Sequence, residues 1–450
     1  MRRVDGGGWP RAAGARARAA AWIAGAVGLA YLTKAIYRGL TFTTGDYYYT
    51  LSGAYIRDVN PALWASPDLQ ASIAYNHGTY LYGPTQYLAL FPVAFLPSYH
   101  AIAMALLAIY PMVLVAAWYG LTLLAAAGER VNIAAGAMTF GAAFAFLPLS
   151  QALIQREFEV VALLLIVLAC LAFVRGRDAA SGALLAAAAW FKYWPIVLLG
   201  AFVLHRRFKG IAAFAASSAA ILLAAHLAFG LQHFALGRTA TTVGGIMRPF
   251  GAGEVLYPVI ARGAQKSDFC RQWIGGRGTA ADVRWLLCAV EDRAPAFSAV
   301  AAFYALVGAT SGLLLWGAAR GLGARREGAA ATRGLVWELA VLLIAGASFF
   351  HAHYYYYVVF LLPLCALLYT YVTGPQPRRK TKLTLWACTY LLLNGFMLPM
   401  SRLSAIWRTD VWSWYLDSGL CLLGIVMLLG LVLWELGHAP VGGLALPSTS

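Results

Sequence analysis

The stretch TTGDYYYTLSGAYIRD (43–58) places a carboxylate, Asp46, against Tyr47 and Tyr48 just after the first apolar segment of the chain, and follows it with Arg57 and Asp58. A carboxylate among aromatic rings at a membrane surface is partly desolvated, which raises its proton affinity and makes it a better base. Rings in the same place stack on sugars and anchor at the interface. The chemistry this suggests is removal of a proton from a hydroxyl as it attacks a carbon, for which one positioned carboxylate suffices in an inverting displacement. The same TTGD run also suits a helix N-cap. Residue chemistry alone leaves base and cap both open. Asp58, in RDVNP, reads as a turn residue paired with Arg57 and is the second candidate base.

A displacement that expels an anion at a membrane boundary needs cations or hydrogen-bond donors where the negative charge develops. Four residues are candidates: Lys192, Arg156, His351 and His353. Lys192 interrupts the apolar hairpin GALLAAAAWFKYWPIVLLGAFVLH (182–205), and a lysine at membrane depth is costly without an anionic partner. Snorkelling toward headgroups is its competing role, and His351 has one as well, as an interfacial histidine bonded to backbone. Tyr82, Glu157 and Glu254 complete the set of candidate substrate contacts, although Glu254, in GAGEVLYP, also reads as a solvated loop acid. Lys34 and Arg38, near the outer end of the first span, are placed to line the same cavity, and Glu338 needs an unidentified polar partner inside a span. The run Tyr354 to Tyr357 reads as an aromatic belt.

Soluble-enzyme signatures are missing from the sequence. There is no P-loop, HExxH, CxxC pair, GxSxG or repeat. His351 and His353, alternate residues at a helix entrance, lack carboxylates at ligand spacing, so neither a metal nor any other cofactor is expected.

The elements that must hold these residues follow from composition. Of 450 residues, 61% are hydrophobic and 12% charged, which overrides the two or three soluble domains that length alone would allow. The expected fold class is an all-α polytopic membrane protein in one transmembrane domain, 1–450. The net charge of +16 gathers in short loops between apolar runs, which is topology information and implies no nucleic-acid partner. If the N-terminal arginines, Arg175 with Arg177, HRRFK (205–209), ARREGAAATR (324–333) and PRRKTK (377–382) are cytoplasmic, the spans fall near 19–40, 99–127, 131–150, 157–174, 180–191, 195–205, 211–230, 296–320, 333–350, 354–372, 383–400 and 412–437. That makes about twelve helices with cytoplasmic tails at 1–18 and 438–450, a first external loop at 41–98 and a long one at 231–295.

The N-terminal segment reads as an uncleaved first span, since Lys34 and Arg38 follow its apolar run without a small-residue cleavage site. The arms of the 182–205 hairpin are too short to cross, so its apex at 192–195 is expected within the membrane or near its outer side, beside a cavity. YGPTQYLALFPVAFLP (82–97) must begin and end outside and reads as an interfacial helix. Cys270 and Cys288 in the long external loop are close enough in sequence to bridge, and the other four cysteines read as packing residues.

The order of these segments carries a resemblance. A basic N-terminus and one span are followed by YYYTLSGAYIRDVNP, YLYGPTQYLALFPVAFLP, a QREFE-led span, GALLAAAAWFKYWPIVLLGAFVLHRRFKG and SFFHAHYYYYVVFLLP. The series resembles glycosyltransferase family 87 of the GT-C superfamily across most of 40–363. That family includes the polyprenol-phosphate-mannose-dependent mannosyltransferases of phosphatidylinositol mannoside synthesis. This chain differs in having Tyr82-Gly83-Pro84 where the family often has Tyr-Pro-Pro, Gln155-Arg156-Glu157 where it has an Asn-Gly-Gln type run, and His351-Ala352-His353 where it has adjacent histidines.

The resemblance selects the base role for Asp46. It implies a GT-C-like bundle that moves a sugar, mannose first, from a polyprenyl-phosphate donor to a glycolipid or glycan hydroxyl among membrane lipids. The site would face the external or periplasmic side of a bacterial inner membrane, and the Ala-, Gly- and Arg-rich composition fits a GC-rich bacterial genome. An arabinofuranosyl or aminosugar donor is the alternative within the superfamily. A transporter would show inverted repeats, which the halves lack, and an envelope scaffold would not need Asp46, Lys192 and the histidines on one side.

Overall fold

Backbone amides at bilayer depth must be satisfied within their own segment, so long apolar runs become helices. The computed structural model of the chain is helical, with no strand among the described residues. It describes 11–41, 60–65, 84–92, 95–97, 99–154, 158–191, 194–229, 328–349, 354–374, 377–395 and 420–438, with isolated positions at 287–309, 406 and 415. In chain order the helices are α1 (Arg11–Thr41), α2 (Pro61–Trp64), α3 (Pro84–Leu90), α4 (Tyr99–Ala125), α5 (Ile133–Phe144), α6 (Leu147–Ile154), α7 (Glu159–Val174), α8 (Asp178–Ala189), α9 (Leu199–Leu204), α10 (Phe208–Phe229), α11 (Gly328–Phe349), α12 (Leu361–Thr373), α13 (Arg379–Leu393) and α14 (Leu420–His438). The 3-10 segments Trp194–Leu198 and Tyr354–Phe360 lead into α9 and α12.

Among the described residues four helices are long and apolar enough to cross a membrane, or five if α5 and α6, bent by 60° at their junction, form one span. The chain is thus a multi-pass helical membrane protein. The twelve spans expected from sequence are not found among the described residues: Glu159–Val174, Asp178–Ala189, Trp194–Leu204 and Tyr357–Thr373 are shorter apolar helices, and most of 296–320 lies outside the described residues. The expected continuous span 131–150 is corrected, because Pro148 has no amide to donate and its ring opposes the preceding turn. The chain breaks at Ala145 and Phe146 and restarts as α6.

Contacts between helix ends place the basic loops at one pole. Arg207 Nη1 donates to the Phe173 carbonyl and to Asp178 Oδ1 at 3.0 Å, which joins the return of the 182–205 hairpin to its start. Arg333 Nη2 donates to Glu129 Oε1 at 3.2 Å. The Asn132 amide donates to Tyr369 Oη at 2.7 Å, and Arg379 Nη2 to the Val372 carbonyl at 3.0 Å. Lys382, expected among solvated loop charges, is instead 3% exposed. Its Nζ donates to Glu435 Oε1 at 2.6 Å and lies 5.5 Å from the Tyr371 ring centre. The pair neutralises two charges that burial would otherwise penalise, and it ties α13 to α14.

Small residues let the helices approach closely, as in membrane packing generally. A Cβ on Gly28 of α1 would stand 2.9 Å from the Gly141 Cα of α5, and one on Gly120 of α4 would stand 2.5 Å from Val167 Cγ1 of α7. A Cβ on Gly182 of α8 would overlap the Gly210 carbonyl of α10. Of the four cysteines among the described residues, Cys170, Cys365 and Cys421 are buried, as packing residues should be, while Cys388 is exposed. Cys270 and Cys288 lie outside the described residues.

If the basic pole is cytoplasmic, single cysteines at Thr381 and Ser52, in a background without other reactive thiols, will label from opposite sides. An impermeant maleimide should modify Ser52→Cys in intact cells and Thr381→Cys only after permeabilisation. Equal modification of both in intact cells would contradict the orientation.

Candidate active site

The elements that run into the candidate residues end at the pole opposite the basic one. Gly39, near the end of α1, faces the start of α4 and the end of α6. A Cβ there would lie 2.9 Å from Leu107 Cδ1 and 3.9 Å from the Leu153 carbonyl oxygen. The chain that leaves α1 at this pole leads to Asp46. Tyr110, midway along α4, meets Phe158, just ahead of α7, edge to face at 6.1 Å.

The hairpin apex meets this assembly from below. α8 has 12 residues and rises about 18 Å, well short of the roughly 30 Å hydrocarbon core. The feet of the hairpin are joined by Arg207 and Asp178, so its two short arms run side by side from one pole. Phe191, next to Lys192, contacts Phe158, two residues after Arg156, with ring centres 5.8 Å apart. Phe191 is 1% exposed and Trp194 7%. A Cβ on Gly346 of α11 would stand 2.5 Å from Val197 Cγ1, so the return arm packs beside the end of the helix that leads to His351.

Farther down that arm His205 Nε2 lies 2.6 Å from Glu338 Oε2 of α11. His205 is thus the partner that Glu338 required, and the arm is docked on α11 at both ends.

Residues after Tyr82 close over the apex. The Thr85 amide donates to the Trp190 carbonyl at 3.2 Å. Gln86 and Tyr87 of α3 are fully buried. Phe91 and Phe95 beyond them remain exposed and meet edge to face at 5.0 Å. The segment is therefore too short to span, as expected, but one face is packed into the bundle where a purely interfacial helix would stay in the headgroups. Tyr357 is likewise fully buried and stacks on Phe360 at 5.0 Å, which corrects its assignment to an aromatic belt. The segment Tyr354–Phe360 packs on α6 and α7.

The structure thus brings together the chain on either side of Arg156 and Glu157, of Lys192, and of His351 and His353, with the residues that follow Tyr82. These side chains themselves lie outside the described residues, as do Asp46, Tyr47, Tyr48, Arg57, Asp58 and Glu254. Lys34 and Arg38 are exposed on α1, with Lys34 Nζ 5.6 Å from the centre of the Tyr31 ring. One acid at this pole was not singled out from sequence: Glu159, in the first turn of α7 and 3% exposed. A helix N-terminus favours a carboxylate. The signal was an acidic residue opening an otherwise apolar span.

A hairpin of two short apolar arms and a broken helix meet at this pole, next in sequence to Arg156, Lys192, His351 and His353. The family model described as glycosyltransferase family 87 matches residues 80–307, a little over half of the 450. No curated protein and no solved structure matches the chain. The matched region holds α3, the QREFE segment and the whole hairpin, which are the parts that build this pole. The chain belongs to glycosyltransferase family 87 and is a membrane glycosyltransferase.

Proposed function

We propose that this glycosyltransferase moves a sugar, mannose by family resemblance, from a polyprenyl phosphate to a hydroxyl of a glycolipid acceptor by inverting single displacement. The reaction takes place on the external face of a bacterial inner membrane. The observation that carries the reading is the convergence of the Phe158, Phe191 and Gly346 neighbourhoods at the pole opposite the basic loops.

In this reading Asp46 accepts the proton of the attacking hydroxyl while the bond from the anomeric carbon to the phosphate oxygen breaks. Lys192 and Arg156, with His351 and His353, hold the departing phosphate as its charge grows. Tyr47, Tyr48 and Tyr82 offer faces for the sugar, and Arg57, Asp58, Glu157 and Glu254 contact the acceptor. This chain departs from the family's common residues at Gly83, Arg156 and Ala352, and an arabinofuranosyl or aminosugar lipid phosphate is the second reading for the donor.

Purified protein in detergent, given a polyprenyl-phosphate mannose labelled in the sugar together with a membrane glycolipid extract, should pass label into glycolipid and release polyprenyl phosphate. Detergent abolishes compartments, so a transporter would leave the donor intact. Label transfer from an arabinofuranosyl or aminosugar lipid phosphate but not from the mannosyl one would replace the sugar and keep the mechanism.

A further inference from the structure

We propose that Asn394 is a positioning residue, the latch that sets the pitch of α6, the helix that leads into residues proposed to bind the donor. Asn394 lies outside the region matched by the family model, at the end of α13. The last clause of this inference rests on the function proposed above, whereas the latch itself rests on geometry alone.

The junction between α5 and α6 leaves backbone groups that a continuous helix would have paired. The Phe146 amide turns to the Ala143 carbonyl at 3.2 Å, a tighter turn than α, which takes Phe146 away from the Ala142 carbonyl and Ala143 away from the Leu147 amide. Pro148 donates nothing. α5 has 12 residues, so the break lies about 18 Å from the basic pole, at a depth where unpaired backbone groups are expensive.

The end of α13 supplies the missing partners. Tyr390 Oη donates to the Ala142 carbonyl at 2.7 Å, and Asn394 Nδ2 donates to the Ala145 carbonyl at 3.0 Å. The Leu147 amide donates to Asn394 Oδ1. A primary amide offers a donor and an acceptor side by side, which is what a carbonyl and an amide two residues apart require. Asn394 is fully buried, and its own amide is held by the Tyr390 carbonyl at 2.9 Å. The Phe146 and Tyr390 rings pack 5.8 Å apart, and Tyr415 Oη donates to the Leu392 carbonyl to brace the same turn.

α6 ends at Ile154, directly before the 155–157 segment, and packs on the 3-10 segment that follows His353. Its pitch therefore bears on both flanking segments that carry candidate phosphate contacts. Asn394 holds the α5–α6 junction and acts through α6.

Backbone amide exchange across 145–154, followed by mass spectrometry on the full-length purified protein, is the test, with donor and acceptor KM measured on the same samples. Asn394→Leu removes both halves of the latch. Exchange in that segment should rise at least tenfold while α7 and α12 keep their protection, and donor KM should rise roughly tenfold with acceptor KM unchanged. Asn394→Asp keeps an oxygen for the Leu147 amide in either protonation state and should fall between Asn394→Leu and wild type in both readouts. If Asn394→Leu does not fold, the Asn394→Asp comparison decides.

Unchanged exchange across 145–154 overturns the latch. Faster exchange with unaltered donor KM overturns the positioning role. A wild-type protein that consumes no lipid-phosphate donor removes the proposed function, and the exchange comparison then decides the latch by itself.

Discussion

Asp46→Asn should lower turnover by roughly 10²- to 10⁴-fold, the range for a positioned acid–base group, while donor KM stays near the wild-type value. Asparagine keeps the size of aspartate and most of its hydrogen bonding but cannot take up the acceptor's proton. The same substitution separates the two roles that the residue type allows. An N-cap needs only an oxygen acceptor, and asparagine caps about as well as aspartate, so a structural Asp46 would leave stability and rate nearly intact. Steady-state kinetics on purified protein, with thermal unfolding as the control for folding, makes the comparison. Near-normal transfer by a folded Asp46→Asn protein would end the proposal and move attention to Asp58.

Lys192→Ala should cost the donor step about 10²- to 10³-fold, the effect of removing one preorganised donor from a developing oxyanion. Its chain neighbours Phe191 and Trp194 are buried aromatic residues at the apex of the re-entrant hairpin. A lysine carried at that position costs about 3 kcal/mol at bilayer depth unless an anion repays it. Lys192→Arg retains the charge but changes its shape and reach, so part of the activity should survive. Donor KM and turnover measured for the three proteins check this. Wild-type values in Lys192→Ala would leave Lys192 as a residue that merely snorkels to the headgroups.

Features set by local chain chemistry were legible in the sequence. The hairpin could be read because its feet are basic, its arms are short and its apex holds Lys192 and Pro195, and α8, like the 3-10 segment taken with α9, falls within two residues of the expected arm. The sharing of one pole by the basic loops was legible because spans alternate. Features that depend on distant partners were not. Glu338 plainly needed a partner, but His205 stands 133 positions away in what reads as a solvated basic loop. Lys382 reads as a cytoplasmic charge because nothing near it in sequence indicates that Glu435, 53 positions on, folds back over it.

The break between α5 and α6 had a local signal in Pro148, which a continuous apolar run obscured. Its repair by Asn394 had none, because the asparagine lies 247 positions from the Leu147 amide it accepts from. The burial of Tyr357 was likewise hidden, because a run of tyrosines at a helix entrance has the same composition whether its rings face lipid or the bundle.

If a single carboxylate drives one direct displacement of a lipid phosphate, the anomeric centre of the transferred sugar inverts. The measurement that bears on it most directly is the anomeric configuration of the bond made by the purified protein from an anomerically pure polyprenyl-phosphate sugar, read by NMR coupling across the anomeric centre. A single product of inverted configuration, formed in step with free polyprenyl phosphate, is expected. A product that retains the donor's configuration would contradict direct displacement, since retention requires a second displacement and a nucleophile that Asp46 acting as a base does not provide.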